Sequence, residues 1–412
     1  MATARASLRP LAAALLLAVG RAGAAGIIDV NIGGDVHVSG RCTLREAIVA
    51  SNTHATPADT NCWSGSDGGN TIVIPPAIAP IEVTGAPLDI TDAGGETTIR
   101  SAVSGTRVEV RRVSGTGTVF TASRPVAFED LSISGGQADM VGGGISVSAS
   151  TATLTRCRVS GNHSDYAGGG ILVSDGGTLT VSDSTIAGNS TGELGIGGGI
   201  ASDDASTVVL ANTTVSGNSS GDGGGLFMWK GHLSLANSTV SGNTAIRAGG
   251  GIATYALDTL DLVHSTVAAN SASAGAGIRL YSGPALATAV TAFDSLLAGN
   301  IGSPDIEHTG SVDDIMTGDH NLIGSVGENV TVPPDTLACD PGLLPLADNG
   351  GPTATHALAG DSCARDAGGT IARSEFDQRG EGHPRLAGEA VDIGAYELDA
   401  VDLDRLFANG FD

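Results

Sequence analysis

One glycine-rich pattern recurs at a nearly fixed spacing, and this repeat constrains the fold of the chain more than any other feature. The motif GGGI, or a near copy of it, ends at Ile145, Ile171, Ile200, Leu226, Ile252 and Ile278. The spacing is 26 residues in every interval except that between positions 171 and 200, where it is 29. A period in this range indicates stacked supersecondary units, because each unit can bury its apolar face only against a neighbour.

Within each repeat, apolar and polar residues alternate over runs of only three to five residues, as around Leu179, Val181 and Ile186. A period of two in such short runs predicts β-strands and not helices. Three strands per repeat, separated by Asn, Asp and Gly at turns, predict an all-β parallel β-helix with coils of about 26 residues. We expect a right-handed solenoid, because parallel crossover connections are overwhelmingly right-handed.

A second column of the repeat consists of asparagine. Its members are Asn162, Asn189, Asn218, Asn243, Asn270 and Asn300. Asparagine tolerates a left-handed backbone, and stacked side-chain amides can bond one another along the axis of a solenoid. We therefore predict a structural asparagine ladder, with the glycine run placed where the chain turns and a Cβ would clash.

The charge and the N-terminus indicate where the protein acts. A net charge of −24 argues against nucleic acid and anionic membrane surfaces as partners. Arg5 and Arg9 precede the apolar run Leu11–Val19, and small residues follow, which is the layout of a secretion signal over residues 1–24. No later apolar run reaches the roughly 18 residues that a transmembrane helix requires. We expect a secreted or cell-surface monomer without a transmembrane segment.

Export permits disulfide bonds among the five cysteines. Proximity in the sequence favours Cys42 with Cys62 and Cys339 with Cys363, although connectivity cannot be read from a sequence alone. Cys157 falls in a column that is otherwise filled by Ser and Thr. We interpret it as a buried structural thiol and not as a nucleophile.

The segment before the repeats, residues 25–70, predicts a helical cap over the N-terminal end of the solenoid. Thr43 and Glu46 have the spacing of a capping box, and apolar residues follow at helical spacing. The sequence CTLREAIVASN, which begins at Cys42, followed by DTNC and NTIVIP, resembles the CSLREA domain of secreted bacterial proteins. The β-helix itself is expected over residues 71–325, with a register over 71–125 that the sequence leaves open.

The GGGI motifs with their downstream asparagines resemble the GG-[AI]/xxN repeats of polymorphic outer-membrane-type proteins. After the repeats, the module expected over residues 326–398 is similar to the choice-of-anchor Q domain. The resemblance rests on three motifs in order, Asp340–Leu358, Phe376–Arg385 and Asp392–Glu397. It implies a surface or secreted bacterial protein, with residues 399–412 as a tail.

The charged residues of this module have a simple structural interpretation. They are Asp377, Arg379, Arg385, Asp392 and Glu397. We expect them to form charge pairs that fix an end cap. A small polar binding site is the alternative.

β-Helices often carry polysaccharide lyases and hydrolases, so an enzymatic function would require catalytic groups in this sequence. Hydrolysis requires two positioned carboxylates, and the adjacent pair Asp203-Asp204 lies where other coils have turns. Asp313-Asp314 has no matching polar neighbours. Three histidines fall on different columns and are interpreted as solvated turn residues: His163, His232 and His264. We therefore predict no catalytic residues, no metal and no cofactor, with a polysaccharide lyase or glycoside hydrolase as the alternative.

One column of the repeat carries aromatic residues. Trp229, Tyr255 and Tyr281 each lie three positions after the end of a glycine motif in consecutive coils, and Phe227 and Arg279 lie nearby. In a chain with only 3% aromatic residues, such a column suggests a binding strip for glycans or a cell-surface partner. A ladder that only stabilises stacking is the alternative. The sequence thus favours a structural, adhesive or ligand-binding role.

Overall fold

The computed structural model describes residues 26–282, 288–310, 314–370, 373–399 and residue 402. The expected signal sequence and most of the expected tail lie outside these residues. Within them, the chain winds into a parallel β-solenoid. Strands at equivalent positions of successive coils pair in register, as Ile171 does with Ile200 and Leu179 with Val208. The early coils join the same sheets, so their register is now defined.

Three long sheets and one short sheet run along the solenoid. The twelve-stranded sheet 1 comprises Gly26–Asp29, Asn70–Ile74, Thr97–Ser101, Val126–Glu129, Thr151–Thr155, Thr178–Ser182, Thr207–Ala211, His232–Ala236, Thr259–Val263, Ala289–Phe293, Asp314–Asp319 and Val330–Thr331. The ten-stranded sheet 2 comprises Ile81–Val83, Val108–Arg112, Leu131–Ser134, Arg158–Ser160, Thr185–Ala187, Thr214–Ser216, Thr239–Ser241, Thr266–Ala268, Leu296–Ala298 and Leu322–Ile323.

The nine-stranded sheet 3 follows the glycine motifs and comprises Leu88–Ile90, Phe120–Ala122, Ile145–Ser148, Ile171–Ser174, Ile200–Ser202, Leu226–Trp229, Ile252–Tyr255, Ile278–Tyr281 and Ile306–Thr309. Between sheets 2 and 3 lies a short sheet of Gln137–Ala138, His163–Ser164, Ser190–Thr191, Ser219–Asp222 and Thr244–Ala248. The sequence pattern did not predict this fourth sheet.

The alternating residues of every coil fill one continuous core. Leu179, Val181 and Ile186 are fully buried, as are their counterparts in the neighbouring coils. Their polar neighbours in the sequence point outward, since successive side chains of a strand alternate between its faces. The outer faces of the three long sheets are therefore the surfaces available for function.

The six asparagines form a continuous hydrogen-bonded column inside the solenoid. Asn189 Nδ2 donates to Asn218 Oδ1 (3.0 Å) and to the backbone carbonyl of Val159 (3.0 Å). The backbone N–H of Asn189 also donates to Asn218 Oδ1 (2.9 Å). The same pattern repeats along the column, and the last amide, Asn300 Nδ2, donates to Asp305 Oδ1 (2.7 Å). Each buried amide is thus satisfied by its neighbours.

The left-handed residue at this turn precedes the asparagine and is usually glycine. Gly188 and Gly217 have φ of 64° and 62°, and Ala269 has 57° before Asn270. The expectation that the asparagines themselves have a left-handed backbone is therefore wrong. In the glycine motif itself, a Cβ added to Gly198 would lie 2.5 Å from a backbone oxygen of the next coil, so a side chain cannot fit there.

The N-terminal cap begins as its sequence predicts. The helix Leu44–Thr53 starts with a complete capping box, in which Thr43 Oγ1 accepts from the N–H of Glu46 and the Glu46 carboxylate accepts from the N–H of Thr43. Its buried residues, including Leu44 and Ile48, join the solenoid core. No helix in the described part of the chain has the length and apolar character needed to cross a bilayer.

The cysteines pair as proximity favoured. Disulfides join Cys42 to Cys62 beside the cap helix and Cys339 to Cys363 in the C-terminal segment. Cys157 is a free, fully buried thiol. Burial raises the pKa of its thiol to about 12, so it stays protonated and unreactive at neutral pH.

The C-terminal segment, described over residues 340–370 and 373–399, folds back along the outer face of sheet 2. Thr239 Oγ1 donates a hydrogen bond to Gln378 Oε1 (2.6 Å), and Thr266 Oγ1 accepts one from the N–H of Ala395 (2.9 Å). The expected end cap is therefore wrong, because these residues pack against the side of the solenoid. Outward hydroxyls on sheet 2 provide the hydrogen-bonding partners for this docking.

The charged residues of this segment form buried pairs. The Arg379 guanidinium lies between Asp377 and Asp402, with nitrogen–oxygen distances of 2.8 Å to each carboxylate. Arg385 is fully buried and lies 3.9 Å from Glu397. Burial, together with the neighbouring Asp392, raises the pKa of Glu397 to about 8. The expected charge pairs are present, and they stabilise the docked segment instead of an end cap.

We predict that Asn218→Ala destabilises the protein by about 3 kcal/mol, because the buried carbonyl of Ile186 and the amide of Asn189 lose their partner. Urea unfolding followed by circular dichroism measures the change. The matched control is Ser219→Ala. Because Ser219 is exposed, this change should leave the midpoint of urea unfolding unchanged. Equal midpoints for Asn218→Ala and the wild type would contradict the ladder's role.

We also predict that stability falls as the pH rises from about 5 to 9. A carboxyl whose pKa is raised on folding binds its proton more tightly in the folded state, so its stabilising contribution is lost as the pH passes through the folded pKa of about 8. The melting temperature should fall by about 5 °C, and Glu397→Gln should remove most of this fall. Glu389→Gln, at an exposed position, should retain it. Parallel pH profiles for the wild type and Glu397→Gln would refute the assignment.

Candidate functional site

Three exposed aromatic rings form a strip on the outer face of sheet 3. Trp229, Tyr255 and Tyr281 are the last residues of three successive strands and pair in register. The ring centroids of Trp229 and Tyr255 are 5.2 Å apart, and those of Tyr255 and Tyr281 are 4.5 Å apart and nearly parallel. The three residues, called here the aromatic strip, are 42%, 40% and 37% exposed. Their outer edges are therefore open to a ligand.

The strands hold this strip rigidly because their alternate residues are anchored in the core. Met228, which precedes Trp229, is fully buried, and so is Leu280 before Tyr281. The stacked rings restrict one another's rotamers, which lowers the entropy that a ligand would have to remove on binding. The strip is thus preorganised.

A second outward column runs beside the aromatic strip. Phe227, Ala253, Arg279 and Glu307 occupy it in register. Arg279 Nη1 lies 2.7 Å from Glu307 Oε1, and the guanidinium also donates to Thr309. Arg279 is therefore already paired within the protein, and Phe227 is only half-buried beside it. Arg279 and Phe227 therefore form one side of the aromatic strip.

Towards the N-terminus, the same face of sheet 3 becomes polar. Ser148 Oγ donates to Asp175 Oδ2 (2.5 Å), and Ser174 Oγ donates to the same carboxylate oxygen (3.0 Å). A shallow pocket of about 160 Å³ follows, with Asp89 and Thr121 in its lining. Sequence reasoning did not propose these residues as a site, although Asp89 and Thr121 share the offset of Phe227, and Ser148 and Ser174 that of Trp229.

The adjacent acids Asp203 and Asp204 occupy a turn on this face. The Asp203 carbonyl accepts from Ser206 Oγ (2.6 Å), and Asp204 has a left-handed φ of 44°. Burial, with the nearby charges of Asp204 and Asp175, raises the pKa of the Asp203 carboxyl above its usual range. The other pair that the sequence offered is not placed, since Asp313 lies outside the described residues.

The three histidines lie in separate parts of the solenoid, as their different columns in the repeat predicted. His163 contacts Ser190 and Asp165 on the short sheet, and His232 contacts Thr259 on sheet 1. His264 is not the solvated turn residue that we expected. It is fully buried, and burial lowers its pKa to about 2. The C-terminal segment covers this corner and excludes water from the ring.

One group of residues in the described part could supply three metal ligands. Candidate ligand atoms of Asp294, Asp319 and His320 lie within 4.8 Å of one another at the corner between sheets 1 and 2. Arg373 Nε lies 3.5 Å from Asp294 Oδ2, and Arg373 Nη2 lies 3.2 Å from Asp319 Oδ1. The guanidinium therefore already compensates both carboxylates. The arrangement accounts for a docked arginine more directly than for a metal.

Comparison with known proteins agrees with the fold. Residues 97–285 match the family model described as the right handed beta helix region. No curated protein matches this chain. Among solved structures, pectate lyase Pel9A is similar with a TM-score of 0.55 at 13% identity, over 90% of this chain and 96% of that one. An identity this low carries information about the fold alone. The right-handed parallel β-helix expected from the repeat is confirmed.

Proposed function

We propose that this protein is a secreted, non-catalytic, glycan-binding protein of the cell surface. The observation that carries the proposal is the aromatic strip, in which three exposed rings of successive coils are stacked on one face. Exposed aromatic residues are costly in water and rare in this chain, so their alignment on one face favours a binding role.

The chemistry of the strip suits a sugar. The open edges of the stacked rings offer apolar contact area, and the tyrosine hydroxyls and the indole N–H are polar groups that can bind sugar hydroxyls. Neighbouring rings are spaced by the rise of one coil, so successive sugar units along a chain can each meet one ring. Next to the strip, Asp203 and Lys230 offer polar groups for sugar hydroxyls.

Export is supported by several independent features. The first 24 residues have the layout of a secretion signal, and both disulfides need an oxidising compartment to form and persist. The resemblance of the terminal segments to CSLREA and choice-of-anchor Q domains agrees with a surface protein. A glycan, on the same cell or on a neighbouring one, is a ligand available in that location.

Replacing Trp229, Tyr255 and Tyr281 together with serine should abolish glycan binding without unfolding the protein, since all three side chains lie outside the core. Glycan arrays with the purified protein, followed by calorimetry on the best ligand, measure the effect. The matched control replaces Trp63 and Tyr166, which are also exposed but lie elsewhere, with serine. Retained binding by the triple variant would refute the strip as the glycan site.

The second candidate function is cleavage of a polysaccharide, which the fold similarity to a pectate lyase favours. The described residue on this face that best fits a general acid is Asp203, because a carboxyl with a raised pKa retains its proton closer to neutral pH. The aromatic strip would then bind substrate beside a catalytic carboxyl.

We expect no turnover when neutral and acidic polysaccharides are incubated with the protein, with and without calcium. Reducing-end and ultraviolet assays detect hydrolysis and elimination, respectively. The variant Asp203→Asn tests whether any activity found belongs to this face, with Asp165→Asn as an exposed control. Activity that Asp203→Asn removes and Asp165→Asn retains would replace the non-catalytic proposal with an enzymatic one.

A further inference from the structure

A polar groove of about 270 Å³ lies on a different flank, between the outer face of sheet 2 and the C-terminal segment. Arg107, Arg158, Thr185 and Ser216 line it from the solenoid, and Asp348 and Thr353 line it from the segment. It lies where the docked segment ends and sheet 2 becomes open to solvent.

The two arginines of this groove are exposed and lack carboxylate partners among the described residues. Arg107 Nε donates to the backbone carbonyl of Arg156 (2.7 Å), which fixes the side chain and leaves its terminal nitrogens free of protein partners. By contrast, the nearby Arg156 pairs with Asp130 through two hydrogen bonds. Both guanidinium groups of the groove therefore have N–H donors that an anionic ligand can use.

The charge of Arg107 also acts on Asp130, a carboxylate near the groove. Although burial raises the pKa of the Asp130 carboxyl, hydrogen bonding to Arg156 and the charges of Arg156 and Arg107 lower it below its usual range. The field that stabilises this carboxylate would also stabilise an anionic ligand beside Arg107 and Arg158.

The remaining lining supplies hydroxyl groups. Thr185 and Ser216 are half-buried, and their hydroxyls form no hydrogen bonds within the part of the chain that the structure describes. Thr214, in contrast, is fully engaged, since it donates to the carbonyl of Ala354 (2.6 Å) and accepts from Gln378 (2.8 Å). The wall of the groove is therefore fixed, while two hydroxyls on its floor are free for a ligand.

We propose that this groove binds an acidic sugar unit, with its carboxylate or sulfate held by Arg107 and Arg158. Guanidinium groups bind such oxyanions through paired, charge-assisted hydrogen bonds, and the free hydroxyls of Thr185 and Ser216 meet the hydroxyls of the sugar ring. The site is separate from the aromatic strip, so each can be lost without the other. A protein with both sites would hold a mixed glycan at two places and gain avidity.

The test is calorimetry on the full-length secreted protein with three oligosaccharides of equal length, one containing glucuronic acid, one sulfated and one neutral. In the variant that carries serine at Trp229, Tyr255 and Tyr281, the acidic ligands should bind and the neutral one should not, and the stronger acidic ligand identifies the oxyanion. Arg158→Ala should weaken binding of the acidic ligands about tenfold, because it removes one charge-assisted hydrogen-bonded contact. Higher salt should weaken it further.

The matched control is Arg124→Ala, which removes an exposed arginine outside the groove and should change affinity less than twofold. The serine variant of the aromatic strip should still bind the acidic ligand, which separates this proposal from the proposed function. Equal binding of the neutral and acidic sugars by the serine variant of the strip, equal loss in the two arginine variants, or no binding of either acidic ligand would overturn the proposal.

Discussion

Every part of this structure depends on hydrogen bonds that run along the axis between equivalent positions of successive coils. Because each position lies over its counterpart, a buried side-chain amide can bond the amide in the next coil of the same column, and a backbone carbonyl of a neighbouring coil accepts its other N–H. The side-chain amide of asparagine can both donate and accept hydrogen bonds along the column. Asn189, for example, donates to the side-chain oxygen of Asn218. The first coil is closed by the helix Leu44–Thr53, and the amide column ends on Asp305.

The same stacking turns single outward residues into continuous surfaces. On sheet 3 it produces the aromatic strip, and on sheet 2 it produces columns of hydroxyls that the C-terminal segment occupies. Thr239 and Thr266 bind that segment, whereas Thr185 and Ser216, nearer the N-terminus, remain open. The extent of the docked segment thus decides which part of sheet 2 can meet a ligand.

The sequence predicts the features that repeat or that obey local rules. The strands, the asparagine column and the capping box at Thr43 follow from spacing, and proximity in the sequence favoured the two disulfides without fixing their connectivity. The docking of the C-terminal segment did not follow, because Thr239 facing Gln378 has the same pattern as a threonine facing water. The burial of His264 was missed for the same reason, since a distant part of the chain covers it. Repetition encodes the interior of the solenoid, whereas the contacts on its outside are particular to each coil.

The strip and the groove differ in how they overcome the charge of the chain. A net charge of −24 repels any acidic ligand at long range, so such a ligand requires a local group of unpaired cations. Arg107 and Arg158 provide that group, whereas Arg279 beside the strip is neutralised by Glu307. The strip therefore offers mainly its aromatic rings, with Lys230 as a polar neighbour, and we propose an uncharged sugar as its ligand. The two proposed sites, one for a neutral and one for an acidic glycan, thus lie on different flanks of one solenoid.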